Sequence, residues 1–173
     1  MALALSENIH LTPPDRGDGP AMQRIARDTG VLSVNSGYYY ALMARLFRRT
    51  CLVARYQDQI YGYITGFFPP DRWDSLFVWQ IGVAPEAQGR GLGKRMLIAL
   101  AKQARPAFIE ATIDPENAAS IKTFAAAARH LGADWVFADR PYVDQRDLGP
   151  GQPPEHLMRI GPIFPAPPGQ ETP

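Results

Sequence analysis

The chain has 173 residues, enough for one domain with a sizeable core. Apolar residues make up 46% and charged residues 20%, and a net charge of +1 argues against the strong uniform field that nucleic acid or an anionic membrane surface would select. One cysteine, Cys51, rules out an internal disulfide.

No apolar run reaches the ~20 residues of a membrane-spanning helix, and the start MALALSENIH lacks the basic onset and long apolar segment of a signal peptide. A cytoplasmic protein that binds neither membrane nor nucleic acid is expected. The prolines crowd the region after Pro141, so residues 165–173 are expected to be a disordered tail behind a single domain at 1–164.

In chain order, a short strand is expected at His10–Leu11, a helix at Gly19–Asp28, and a second helix at Gly37–Phe47 with Tyr40, Met43, Ala44 and Phe47 at helical spacing. Cys51–Tyr56 and Ile60–Phe68 read as a hairpin across the polar turn Gln57–Gln59. Leu76–Val83 is a continuous apolar run, which predicts a central strand buried on both faces. A helix follows from Gly91 to Ala104, then a strand at Phe108–Ile113. The next helix is expected to open with Asp114 as its cap and Pro115 at its first position, and to stop at Gly132. Strands at Trp135–Ala138 and Glu155–Ile160 complete an α/β sandwich around a mixed sheet.

The stretch from Val83 to Lys94 joins a strand to a helix and carries Gly89, Gly91 and Gly93. Helix N-termini present unpaired N–H groups and favour anions. Arg90, Lys94 and Arg95 crowd that same positive end, which suits a phosphate-rich ligand. A Walker A loop would need glycine at Gln88 and Ser or Thr at Arg95, and a dinucleotide fingerprint would need glycine at Lys94, so both fail. The spacing Gln88-x-x-Gly91-x-Gly93 is similar to the pyrophosphate-gripping loop of the GNAT N-acetyltransferases. Within that superfamily the chain resembles the diaminobutyrate acetyltransferases. Val34–Tyr38, Leu76–Gln80, Glu110–Ser120 and Glu155–Pro162 carry the likeness, which runs from about Ile9 to Phe164.

The resemblance implies a GNAT fold of the α+β kind, with a mostly antiparallel mixed sheet flanked by helices on both faces. It also implies acetyl-CoA as cosubstrate, no metal, and a homodimer. Cofactor contacts carry over to Ile81, Val83, Gln88, Gly89, Arg90, Gly91, Leu92, Gly93, Lys94, Asn117 and Ser120, with the Val83 N–H facing the acetyl carbonyl. Substrate contacts carry over to Ser33, Asn35, Tyr38, Trp79 and Gln152. Two of these depart from the subgroup, which carries aspartate at Ser33 and histidine at Gln152. Phe124 stands where many GNATs place a tyrosine acid, as it does in this subgroup.

Amide formation needs a neutral amine. With a lysine-like pKa of ~10.4, only on the order of one molecule in a thousand is neutral at pH 7, so a base or a water chain must take the proton. Glu155 is the first candidate and Glu110 the second. Glu155 and His156 should point to opposite faces of their strand and not act as a pair. Each residue also has a plain reading: a solvated charge for Glu155, an ion pair for Glu110, a core side chain for Trp79, capping and packing for Asn35 and Tyr38. His130 reads as a favourable contact at a helix end and Cys51 as core. The expected substrate is a diamino acid, with L-2,4-diaminobutyrate foremost. The alternatives are another small amine or a protein amino group, or an acyl-CoA-binding domain without catalysis.

Overall fold

The structure is a computed structural model and describes residues 8–164. The expected tail at 165–173 lies outside the described residues. Seven strands form one sheet in the order β1-β2-β3-β4-β5-β7-β6, and the chain divides into two compact units, each described in turn. Among the described residues no helix is long and apolar enough to cross a membrane.

The first unit runs to Phe67 and takes up again over Val78–Ala104. It holds β1 (His10–Thr12), α1 (Gly19–Asp28), α2 (Gly37–Leu46), β2 (Leu52–Tyr56), β3 (Gln59–Phe67), the second part of β4 (Ser75–Val83), and α3 (Leu92–Ala104). Helix α1 starts with a proline in its first turn and buries Met22, Ile25 and Ala26, the i, i+3, i+4 stripe of an amphipathic helix. Helix α2 is capped by Ser36, whose side chain accepts from the Tyr39 N–H at 3.2 Å.

Strands β2 and β3 form the expected antiparallel hairpin. Alternation along β3 divides its two faces. Tyr63 packs with Met22, Ile25, Ala26 and Tyr40 of α1 and α2, whereas Gly62 faces Leu92 and Met96 of α3. The side chains of β4 also alternate: Val78, Gln80 and Gly82 are buried, while Ile81 and Val83 are partly exposed and Trp79 is 50% exposed. The apolar run therefore does not mark two-sided burial. One of its faces keeps apolar side chains open.

The second unit comprises Phe68–Phe77 and the chain from Arg105 onward. It holds the first part of β4, then β5 (Phe108–Ile113), α4 (Ala118–Leu131), β6 (Trp135–Val143), a one-turn helix α5 (Gln145–Leu148) and β7 (Glu155–Ile160). Strands β4 and β5 pair in parallel from Ser75↔Phe108 to Phe77↔Glu110, which requires a crossover, and α3 provides it. Strand β7 pairs antiparallel with both β5 and β6. Ile109, Ala111, Ile113, Met158 and Ile160 are buried, and so are Phe124, Ala127 and Ala128 of α4, which lies against β7.

Three expectations need correction here. Helix α4 begins at Ala118 with Asn117 as its cap; Asp114 instead accepts from the Glu116 N–H at 2.9 Å and shapes the turn before it. Strand β6 continues past Ala138 to Val143, with register shifts around Pro141. Helix α5 was not expected, although Asp144 and Asp147 form a reciprocal capping box around it.

Candidate active site

In the first unit, Gly89 and Gly91 take φ of +74° and +70°, a region that L side chains enter only at a cost. The first helical bond of α3 runs from the Arg95 N–H to the Gly91 carbonyl at 3.0 Å. The N–H groups of Leu92, Gly93 and Lys94 therefore precede the helical ladder and have no acceptor within it. The Gln88 side chain donates to the Val83 carbonyl at 3.0 Å, tying the loop to the strand it leaves. The Ala84 N–H is committed to the Tyr61 carbonyl of β3 at 2.8 Å. Successive N–H groups on a strand point to opposite edges, so the Val83 N–H points away from β3.

The same unit contains a buried polar network at the sequence-predicted substrate segment. The Nε2 of Gln80 donates to the Ser33 carbonyl at 2.8 Å. A carbonyl only accepts, so the amide orientation is fixed and its Oε1 must face the tyrosines. That oxygen accepts from Tyr63 at 2.6 Å and from Tyr40 at 3.1 Å. Burial and the neighbouring Tyr40 push the Tyr63 hydroxyl far above its usual range, so it stays protonated. A Cβ on Gly82 would lie 2.8 Å from Tyr63 Cζ, so the close approach of that ring requires glycine there.

Beside the network, Trp79 lies 5.2 Å from Tyr39 and 5.9 Å from Phe67, centroid to centroid. Thr65 donates to the Gln80 carbonyl at 3.4 Å, so the Tyr39 hydroxyl, 2.9 Å away, donates to Thr65. Asn35 offers its backbone carbonyl to Gln23 at 3.0 Å, and Tyr38 is 73% exposed.

In the second unit, Glu110 is fully buried between two arginines, with Arg72 at 2.8 Å on one carboxylate oxygen and Arg159 at 2.7 Å on the other. Arg72 also donates to the Tyr142 hydroxyl at 3.2 Å, and the Arg159 guanidinium stacks 3.8 Å from the Phe108 ring centre. Both oxygens of Glu110 are thus committed, which fits the ion-pair reading and leaves it poorly placed to accept a proton. Glu155 is partly buried and accepts from the Thr112 hydroxyl through Oε2; among the described residues Oε1 carries no hydrogen bond. His156 turns instead to the Ala138 carbonyl at 2.8 Å and stacks on Phe137. Asn117 caps α4 by accepting from the Ser120 N–H at 3.0 Å, and Gln152 is exposed in the loop before β7.

The acetyltransferase (GNAT) family model matches residues 20–128. The chain belongs to the GNAT acetyltransferase family. It is similar to the L-2,4-diaminobutyric acid acetyltransferase of Streptomyces avermitilis, 39% identical over 168 residues that cover 93% of this chain and 92% of that one. The counterpart from Nocardia farcinica is 38% identical over 156 residues, 88% of this chain and 80% of the relative. Among solved structures, the diaminobutyrate acetyltransferase of Paenibacillus lautus, in complex with L-2,4-diaminobutyric acid and coenzyme A, aligns with a TM-score of 0.82 and 32% identity, covering 91% of this chain and 97% of that one.

The chain is an acetyl-CoA-dependent N-acetyltransferase. The glycine turns, the leading amides of α3 and the basic side chains of the Gln88–Lys94 loop together suit an anionic ligand. Arg95 is directed partly elsewhere, donating to the Ile9 carbonyl at 3.4 Å. Trp79 is not an ordinary core tryptophan, because half of it is exposed. The sequence reading missed Gln80, Tyr40 and Tyr63 as one network, and Tyr39 as a neighbour of Trp79. The signal for Gln80 was a polar residue inside an apolar strand, which must find buried partners.

Proposed function

We propose that the chain transfers the acetyl group of acetyl-CoA to the side-chain amine of L-2,4-diaminobutyrate or a close relative. The likeness to diaminobutyrate acetyltransferases over almost the whole chain carries this reading. The site chemistry supports it. In this mechanism the Gln88–Lys94 loop holds the pyrophosphate, with Asn117 and Ser120 at the start of α4 as further cofactor contacts. The backbone at Ile81 and Val83 holds the thioester arm, and the Val83 N–H donates to the carbonyl oxygen as it becomes an oxyanion.

Glu155 is the base. Its Oε1 takes the proton from the attacking ammonium, while Thr112 holds the other oxygen in place. The amine lone pair then forms the C–N bond, the C–S bond breaks, coenzyme A leaves as thiolate, and the nitrogen gives up its second proton to that thiolate to leave the neutral amide. Phe124, only 3% exposed, brings no proton to that step. A thiol pKa of about 8.5 makes the thiolate a competent leaving group near neutral pH.

Trp79 and Tyr39 wall the amine, and Ser33, Asn35, Tyr38 and Gln152 contact the rest of the substrate. Ser33 and Gln152 bring neutral groups where the resembled subgroup carries aspartate and histidine. One lost charged partner costs about 1.5–3 kcal/mol, roughly a ten- to hundred-fold loss in affinity. Thiol release measured with diaminobutyrate, ornithine, lysine and simple diamines tests the reading. Diaminobutyrate is expected to turn over best, at a high KM. No release with any diamino acid would remove the substrate assignment and leave acetyl transfer standing.

A further inference from the structure

The segment between α1 and α2 contains Ser33 and Asn35, yet it has no regular structure of its own. Ser33 and Val34 are exposed. What fixes the segment is a pair of glutamine amides, each holding a backbone carbonyl: Gln80 grips Ser33 at 2.8 Å, and Gln23 grips Asn35 at 3.0 Å. Leu32 packs against the core, and its N–H lies 3.3 Å from the Thr29 hydroxyl. Of the two amides, only that of Gln80 is deeply buried, at 8% exposure, and only it is itself clamped. Two buried tyrosine hydroxyls converge on its Oε1, so the amide can neither flip nor turn away without leaving both donors unsatisfied.

We propose that Gln80, aimed by Tyr40 and Tyr63, is the positioning residue that sets the height of the Ser33–Asn35 segment over the site. The grip is on main chain, so the side chain at position 33 can change its chemistry without moving the segment. A serine can therefore stand at the position where the resembled subgroup carries aspartate without displacing the segment. Gln80 adjoins Trp79 on β4, so one strand contributes an aromatic wall and anchors the segment through consecutive residues. This inference rests on the proposed substrate reading for its kinetic consequence, but not for its structural one.

Two measurements separate those parts. Gln80→Glu preserves shape and still accepts from both tyrosines, but as a carboxylate it has no donor for the Ser33 carbonyl. Losing one net hydrogen bond corresponds to roughly a two- to ten-fold effect. The KM for the amine is expected to rise by about that factor or more, with kcat and the KM for acetyl-CoA within about two-fold. Amide hydrogen exchange over residues 31–36 is expected to quicken by a similar factor, while α3 is unchanged.

Should Gln80→Glu fail to fold, Tyr63→Phe carries the same test, because it unclamps the amide and leaves the ring in place. Equal losses in all kinetic parameters, or slow exchange over 31–36 in a folded variant, would overturn the proposal. If the wild type does not acetylate diaminobutyrate, the substrate reading fails, and the exchange measurement still decides whether Gln80 holds the segment.

Discussion

Replacing Glu110 by glutamine keeps the shape of a buried side chain and removes its charge. Both carboxylate oxygens now accept charge-assisted bonds, at 2.7 and 2.8 Å, and the side chain has no exposure to water. The amide has one acceptor oxygen, so its NH2 must face an arginine that can only donate. Breaking a buried ion pair from one side costs about 3–5 kcal/mol. The low end applies, because Arg72 and Arg159 keep 30% and 34% of their side-chain exposure and recover some hydration. At about 2–4 °C per kcal/mol for a chain of this size, a loss of about 3 kcal/mol lowers Tm by roughly 6–12 °C. The assay is thermal unfolding alongside steady-state kinetics well below the lowered Tm, where kcat is expected to stay within about ten-fold of wild type. An unchanged Tm with kcat down about a hundred-fold or more would refute the reasoning and return Glu110 to the role of base.

Glu155→Gln is expected to lower kcat by about 10²–10⁴ with the KM for acetyl-CoA unchanged, because a base acts on the amine; a full-rate variant across the pH range would move proton transfer to water. Gly91→Val must hold a β-branched residue at φ +70° at the mouth of the loop, so acetyl-CoA binding by calorimetry is expected to disappear, and wild-type affinity would exclude the loop. Burial pushes the Cys51 thiol from 9.0 to about 12, so the unfolded chain loses its proton first and stability falls as pH rises from about 9 to about 12; denaturant melts across that range are expected to fall more steeply for wild type than for Cys51→Ala. We propose a homodimer, for which edge strand β6 with Trp135 40% and Val136 64% exposed supplies an apolar face; light scattering at micromolar concentration is expected to give the dimer mass, and a monomer mass would remove the proposal.

The local features were the legible ones. The glycine turn from β4 into α3 could be read because glycine spacing, a preceding strand and a helix start are all close in sequence. Strands β5 and β7 and helix α1 match the expected bounds, since their patterns are regular and bounded by clear breaks. Helix α4 starts later than expected because both Asp114 and Asn117 have capping chemistry, and Asp114 uses its own in the preceding turn.

The open face of β4 could not be told from a buried one, because an apolar surface left open has the same composition as core. The Gln80 network joins residues 17, 40 and 47 positions away in sequence, and the Glu110 arginines lie 38 and 49 positions away. Separations of that size leave no periodic trace. Such pairings follow from sheet register and tertiary packing, not from local pattern.

The most direct test of the function is to identify the product formed from acetyl-CoA and L-2,4-diaminobutyrate. Mass spectrometry and proton NMR on a reaction run to completion fix both the number of acetyl groups and the nitrogen that carries them. A single acetyl group on the side-chain amine, formed only when enzyme is present, is the expected result. Acetylation at the α-amine, or recovery of unmodified diaminobutyrate from enzyme that binds acetyl-CoA, would contradict the proposed function.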